Sequence, residues 1–182
     1  MDAAIACFRR RGFHQSTMQE ICFEASISAG ALYRYFSSKA EIIAAIAEDR
    51  HSDTNAAFDA AVRNGSLVDA FSLLARAFFE KFAEGDGALI AEIMAEALRD
   101  EGVAEPLRGL QARSLDYCVK VIKAAQKRGD VDATLDPELA ASTLYAAIEG
   151  IGLRRAFLRD TDVESAVAQF RALAERYLEP RQ

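Results

Sequence analysis

The sequence predicts an all-α fold, and three features of the chain point to it. Half of the 182 residues are hydrophobic, yet runs of β-branched residues are rare, while alanine, leucine, glutamate and arginine are abundant. Only three prolines interrupt the chain. Apolar residues recur at the three- and four-residue spacing of helices, and short turns separate these segments. A chain of this length can bury a sizeable core and fits one or two small domains.

The first helix is predicted over residues 2–11. Its buried face carries Ala4, Ile5 and Phe8, and Gly12 supplies the left-handed residue that often follows a helix C-terminus. The basic run at residues 9–11 has two interpretations. It can contact phosphates, or it can complement the helix dipole near the C-terminus.

Residues 16–39 contain three helix caps in a short span. Thr17 and Glu20 form a capping box, so the second helix begins after Thr17. Ser28 is expected to cap a third helix over residues 29–36, with Ile27 packing against Leu32 as a hydrophobic staple. A further capping box starts the next helix, with Ser38 as the cap and Glu41 three residues later. Short helices joined by a tight turn predict a helix-turn-helix.

The third helix has the features of a DNA-recognition helix. Its first residues, Ala29, Gly30 and Ala31, are small enough for close approach to another surface. The segment Tyr33-Arg34-Tyr35 then places hydroxyl groups and a guanidinium where they suit phosphate oxygens and base edges. The alternative is an ordinary helical corner with two partly buried tyrosines.

The N-terminal stretch resembles the tetracycline-repressor-like (TetR) family of transcription regulators. The residues that match its pattern are Phe8, Gly12, Phe13, Thr17, Ile21, Ala25, Ser28, Gly30, Leu32, Tyr33, Tyr35, Phe36, Ser38, Lys39 and Glu41. The match covers residues 1 to about 50, and the remainder agrees with the family only in architecture. Two departures are Ser26, where many relatives have glycine, and Ala29, where many have lysine or arginine.

The resemblance implies a DNA-binding set, which is Thr17, Ser28, Ala29, Gly30, Ala31, Tyr33, Arg34, Tyr35 and Lys39. Within it, Thr17, the two tyrosines and Lys39 would hold phosphates. Ala29, Ala31 and Arg34 would face the bases.

The net charge of −6 is unevenly distributed. Residues 1–39 contain five basic and three acidic residues, whereas the rest of the chain contains 17 and 25. An acidic body would repel DNA while the N-terminal unit binds it, so we expect modest, salt-sensitive affinity.

Beyond the helix-turn-helix, turn residues divide the chain into six predicted helices. They cover residues 38–62, 67–83, 88–99, 106–128, 136–157 and 162–178, and Asn64-Gly65 is expected to close the first of them. The first of these helices is long enough to leave the DNA-binding unit and transmit movement to a second domain. We therefore divide the chain into a helix-turn-helix DNA-binding domain, 1–50, and a helical effector-binding and dimerisation domain, 51–182.

The last two helices are expected to form a dimer interface, and the resemblance implies a four-helix interface there. The candidate residues are Leu144, Ile148, Ile151, Phe170, Leu173 and Tyr177. Gly150 and Gly152 destabilise a helix by about 1 kcal/mol relative to alanine, so close helix approach is a plausible reason for them. The alternative is that both helices only cover the core of their own chain.

The middle helices are the candidate effector site. Its residues are Phe78, Phe82, Met94, Leu115, Cys118, Tyr145 and Glu149. Glu149 lies one turn after Tyr145 and would anchor a cationic or hydroxylated ligand, although plain core packing is the alternative for each residue. The three scattered cysteines are interpreted as buried free thiols in a reducing cytoplasm, and no apolar run is long enough to span a membrane.

These features, with the family resemblance, predict a homodimeric, ligand-responsive transcription regulator, a repressor that binds a palindromic double-stranded DNA operator and is released by a small, mainly apolar effector. The alternative is a helical small-molecule binding protein with a degenerate DNA-binding unit. An enzyme is not expected, because no catalytic motif, cofactor motif or complete metal motif is present. Glu48 and His51 supply only half of a di-iron signature.

Overall fold

A computed structural model describes residues 1–63 and 66–180, and for residues 49–57 it describes the backbone alone. The described residues form nine α-helices and no strand, which confirms the all-α prediction. The helices are α1 Asp2–Arg11, α2 Met18–Ala25, α3 Ala29–Tyr33, α4 Lys39–Arg63, α5 Leu67–Lys81, α6 Gly87–Ala97, α7 Glu101–Arg128, α8 Pro137–Phe157 and α9 Val163–Leu178. A π-helical turn, Phe82–Asp86, joins α5 to α6.

The helices divide into two compact units. The first unit is Met1–His51 with Gly85–Leu110, and the second is Ser52–Glu84 with Gln111–Gln182. Helix α4 contributes residues to both units. The first unit also includes α6, which the sequence-based division places in the C-terminal domain, so the boundary at residue 50 stays a prediction about functional domains.

The first unit has its own apolar core, built from α1 to α4 with residues of α6 and α7. The buried residues are Ala4, Cys7, Phe8, Phe13, Ile21, Cys22, Leu32, Ile42, Ile43, Ile46, Leu89 and Val103. The rings of Phe8 and Phe13 pack with their centroids 5.4 Å apart. Burial of these side chains fixes the relative positions of the three N-terminal helices.

The second unit is centred on α5, which packs against α8 and α9. Phe71, Ile122 and Phe170 are among its fully buried side chains. Phe58, near the C-terminus of α4, packs edge-on against Phe71 with centroids 5.5 Å apart. The next residue, Asp59, accepts a hydrogen bond from the hydroxyl of Tyr117 on α7.

Most predicted helix boundaries agree with the structure within two residues, and two differ by more. Helix α3 ends at Tyr33 rather than at residue 36. Helix α7 begins at Glu101, so Pro106 lies inside it rather than in its first turn. Asp100 explains the earlier start, because its carboxylate accepts the backbone N–H of Gly102 at 2.8 Å. The predicted turn at Asn64-Gly65 lies outside the described residues.

The three cysteines are buried and unpaired, as the sequence predicts. Across the described residues, every helix is too short or too polar to cross a membrane.

Candidate nucleic-acid interface

Helix α2 starts at the predicted capping box. The Thr17 hydroxyl oxygen accepts the backbone N–H of Glu20 at 3.2 Å. In return, the Glu20 carboxylate accepts the backbone N–H of Thr17 at 2.9 Å and its hydroxyl at 3.0 Å. The Thr17 side chain is exposed, but its hydroxyl already serves the cap.

The turn between α2 and α3 depends on Ser26, which adopts the left-handed conformation with φ 54° and ψ 39°. The chain then reverses so that Ile27 N–H donates to the Cys22 carbonyl at 3.0 Å, which is the hydrogen bond of a Schellman motif. This geometry leaves Ile27 42% exposed. The predicted staple of Ile27 against Leu32 is therefore wrong, and Leu32 alone enters the core.

The N-terminus of α3 is small and exposed. Ser28 caps it, with its side-chain oxygen accepting the backbone N–H of Ala31 at 3.2 Å. Ala29 and Gly30 are exposed, and in the described part of the chain no atom lies within 4 Å of a Cβ added to Gly30. Another macromolecule can thus approach the backbone of α3 closely.

The segment after this N-terminus projects polar side chains outward. Tyr33 is 52% exposed and Tyr35 is 68% exposed, so neither is the partly buried tyrosine of the alternative interpretation. The Arg34 guanidinium donates to the Tyr35 hydroxyl at 3.1 Å and lies 5.0 Å from the centre of its ring. Tyr35 therefore contacts the Arg34 guanidinium through both its hydroxyl and its ring.

Lys39, the remaining predicted phosphate contact, points towards its own protein. Its ammonium donates to the carbonyl of Phe13 at 2.6 Å and to that of His14 at 3.0 Å. The same ammonium lies 4.8 Å from the centre of the Phe13 ring. Burial lowers the pKa of Lys39, while the carboxylates of Glu96 and Glu92 raise it.

The basic run at the end of α1 is used for internal ion pairs. Arg9 pairs with the buried Asp86, Arg10 pairs with Glu24 on α2 at 2.8 Å, and Arg11 pairs with Glu20. These ion pairs give the run a role that neither interpretation from the sequence includes, and the three arginines do lie in the last turn of α1, as the dipole interpretation requires. They join α1 to α2 and to the segment that precedes α6, and they reduce the positive charge available for DNA.

The effector candidates fall into both units. Met94 lies on α6 in the first unit and is 45% exposed, whereas the other six lie in the second unit. Among those six, the Cys118 thiol contacts the Tyr145 hydroxyl at 3.9 Å, and burial raises the pKa of Cys118 to about 11. Leu115 is partly buried against the same core.

Ser114 completes this group, because it hydrogen-bonds to Tyr145 and is itself buried. Ser114 is not among the effector-site residues predicted from the sequence, although it lies one helical turn before Cys118 and so shares its face of α7.

Glu149 lies on α8 three residues before Gly152, which is the residue of α8 that the Phe78 and Phe82 rings approach. Burial raises the pKa of Glu149. Phe78 and Phe82 pack with centroids 4.8 Å apart, and a Cβ added to Gly152 would lie 2.9 Å from the Phe78 ring. Gly152 is therefore required for packing within the chain.

The predicted dimer residues divide by burial. Leu144, Ile148 and Phe170 are at most 4% exposed and pack inside the second unit. Ile151 and Tyr177 are partly buried against the same core, and Leu173 is 41% exposed. The first three side chains therefore fill the core of their own chain and are not a free surface.

Two family profiles match the chain. One, described as bacterial regulatory proteins of the tetR family, matches residues 1–46. The other, described as a tetracyclin repressor-like C-terminal domain, matches residues 61–170. The chain belongs to the TetR family of transcriptional regulators.

Individual relatives agree with this assignment. The transcriptional regulator UidR of Escherichia coli is 29% identical over 151 residues, which is 83% of this chain and 76% of UidR. TtgR of Pseudomonas putida is 28% identical over 170 residues, covering 88% and 80% of the two chains. The solved structure of Salmonella enterica GusR has 31% identity and a TM-score of 0.78, and the match covers 97% of this chain and 92% of GusR.

The family defines the class of activity. TetR-family proteins are transcriptional regulators, typically ligand-responsive repressors, and are not enzymes. They bind DNA operators as dimers and respond to small-molecule effectors.

Proposed function

We propose that this protein is a repressor that binds a palindromic operator as a homodimer and is released by a small, mainly apolar effector. It would act in the cytoplasm, where the operator DNA lies and the three thiols stay reduced. The observation that carries the proposal is the exposed edge of α3, with its small capped N-terminus and the outward Tyr33-Arg34-Tyr35 segment. This arrangement favours a functional DNA-binding unit over a degenerate one.

The DNA contacts would be made by the exposed and half-buried residues of this edge. Ala29 and Ala31 offer methyl groups to thymine, and Arg34 offers paired donors to a guanine. Tyr33, Tyr35 and the Ser28 hydroxyl would contact phosphates. Thr17 would contact a phosphate with the exposed part of its side chain at the cap of α2.

Dimerisation would use the outward faces of α8 and α9. Exposed apolar or small residues lie along these faces, at helical spacing on α8. They are Leu139, Ala146, Gly150, Leu153 and Phe157 on α8 and Ala172 and Leu173 on α9. Among the residues that the structure describes, no atom lies within 4 Å of a Cβ added to Gly150, in contrast to Gly152. Gly150 therefore has no packing role within the chain, and close approach of a partner helix accounts for it.

The effector would bind in the second unit between α5, α7 and α8. Phe78, Phe82 and Leu115 supply the apolar lining, and Cys118, Tyr145 and Glu149 supply polar groups. Helix α4 contacts this unit through Phe58 and Asp59. A change in packing around these two residues would therefore change the position of α4. A coupling free energy of about 1–3 kcal/mol would lower operator affinity 5- to 150-fold.

Selection from a pool of random DNA duplexes at two salt concentrations tests the proposal. We expect the purified protein to recover a palindrome whose half-sites are about one helical turn apart, roughly 34–36 Å. Weak binding without sequence preference at both salt concentrations would instead support a degenerate DNA-binding unit.

A further inference from the structure

The loop between α1 and α2, residues 12–17, is held by charged side chains from two other helices of the first unit. Lys39 contributes from the first residue of α4, and Glu92 and Glu96 contribute from α6. This loop ends at Thr17, which caps α2, so its position determines where the helix-turn-helix begins.

Lys39 uses most of its binding capacity inside the protein. Two of the three N–H groups of its ammonium are committed to the carbonyls of Phe13 and His14. The Phe13 ring covers it from a further side, and the carboxylates of Glu96 and Glu92 act on its charge. With two of its three donors bound to these carbonyls, the ammonium has one N–H group left for an outside partner.

Glu92, on α6, holds the same loop. Its carboxylate accepts the backbone N–H of His14 at 3.0 Å. It also lies against Gly12, where an added Cβ would be 2.7 Å from a Glu92 carboxylate oxygen. Gly12 has φ +81°, so glycine there serves both the backbone conformation and this close contact. Glu96 lies nearby, with 3.8 Å between its carboxylate and the His14 ring.

We propose that Lys39 and Glu92 are positioning residues that clamp the α1–α2 loop and so set the helix-turn-helix for DNA, and that Lys39 does not neutralise a phosphate. The proposal rests on the DNA-binding function given above and differs from the role that the family resemblance implies for Lys39. It assigns to Glu92 a role that sequence analysis did not identify.

The salt dependence of operator affinity separates the two roles of Lys39. Each phosphate contact contributes about −0.9 to the slope of log affinity against log salt concentration. We expect Lys39→Met to lower affinity roughly tenfold at every salt concentration while the slope stays unchanged. Lys39→Arg should lose affinity as well, because a planar guanidinium cannot replace a compact ammonium beside two successive carbonyls. The matched control is Lys120→Met, on the exposed face of α7, which should change neither quantity.

Two variants of Glu92 test the clamp independently. Glu92→Gln keeps an oxygen that can accept the His14 N–H and should retain operator affinity within about threefold, whereas Glu92→Ala should match Lys39→Met. Hydrogen exchange of the His14 amide, measured without DNA, should accelerate in Glu92→Ala and Lys39→Met but not in Glu92→Gln. Thermal unfolding of each variant establishes that it is folded.

Two results would overturn the proposal. One is a slope reduced by about one in Lys39→Met with full affinity in Lys39→Arg, which is the behaviour of a phosphate contact. The other is unchanged exchange of the His14 amide in Glu92→Ala. Failure of the unmodified protein to select any DNA sequence would contradict the proposed function instead, and the exchange measurement would still decide the clamp.

Discussion

Arg34 is the only basic residue between Ser28 and Phe36, and its exposed side chain donates a hydrogen bond to Tyr35. We expect Arg34→Ala to relax sequence preference at one base pair of each half-site, with a loss of about 1–3 kcal/mol for the preferred base. Repeating the duplex selection with this variant measures the change. Arg159→Ala, in the exposed turn after α8, is the control, and an unchanged preference in Arg34→Ala would contradict base recognition by Arg34.

Ser26 occupies a backbone conformation that glycine adopts without strain. A non-glycine residue in the left-handed region is disfavoured by about 1–2 kcal/mol. Glycine removes this strain, but part of the stabilisation is lost because glycine has more conformational freedom in the unfolded chain. We therefore expect Ser26→Gly to raise the free energy of unfolding by about 0.5–1 kcal/mol. Urea denaturation measures it. Ser37→Gly, outside this conformation, should give no such gain, and a destabilised Ser26→Gly would contradict the assigned turn.

Glu149 should make stability depend on pH. Burial raises the pKa of its carboxyl, so between the unfolded and folded pKa values the folded protein holds more protons. The contribution of Glu149 to the free energy of unfolding is therefore complete below the pKa of the unfolded state and is lost as the pH rises through the pKa of the folded state. We expect Glu149→Gln to raise Tm at pH 7 and to leave it nearly unchanged at pH 4. An equal gain at both pH values would show that the carboxyl is not responsible.

At the scale of the helices, Gly150 offers a direct test of the dimer. Gly150→Leu adds a side chain into open space in the isolated chain and improves helix propensity by about 0.8–1 kcal/mol, so the monomer should stay folded. If α8 packs closely against a partner helix there, the variant should become monomeric in light scattering. Ala124→Leu, on the exposed face of α7, should leave the dimer intact. A dimeric Gly150→Leu would place the interface elsewhere.

Local signals made most helices predictable from the sequence. The caps at Thr17, Ser28 and Asp162 each act within three residues, so their residue types alone define the helix start. The segment after α3 has no such local signal: the backbone N–H groups of Tyr35 and Phe36 both donate to the Leu32 carbonyl, and the N–H and hydroxyl of Ser37 donate to Glu41 of the next helix. The Glu41 carboxylate therefore accepts from Ser37 rather than from the Ser38 N–H that a capping box requires. Ser38 still caps α4, because its hydroxyl oxygen accepts the Glu41 N–H at 3.2 Å.

The candidate site was less predictable, because long-range partners decide which side chains are free. The spacing of Leu144, Ile148 and Phe170 identifies an apolar face but does not say whether the same chain or a partner covers it. Their burial shows that the same chain does. Lys39 and Glu92 are similar cases, since Glu92 is 78 residues from the His14 N–H that it accepts. A motif predicts the residue type at such a position, and the fold decides its contacts.

At the scale of the whole molecule, charge should keep DNA affinity moderate. The net charge is −6, and the three arginines that end α1 all pair with carboxylates of their own chain. One recognition helix of this kind has few charged contacts to offer, so tight binding requires two copies acting together.

Comparing operators with different half-site spacing is therefore the most direct measurement of the central claim, that two copies of α3 bind two half-sites one helical turn apart. The selected palindrome, a single half-site and a palindrome with five extra base pairs at its centre would be titrated under the same salt conditions. We expect two chains per palindrome, with affinity at least about a hundredfold above that for the other two duplexes. Equal affinity for all three would contradict a dimer that reads DNA through α3.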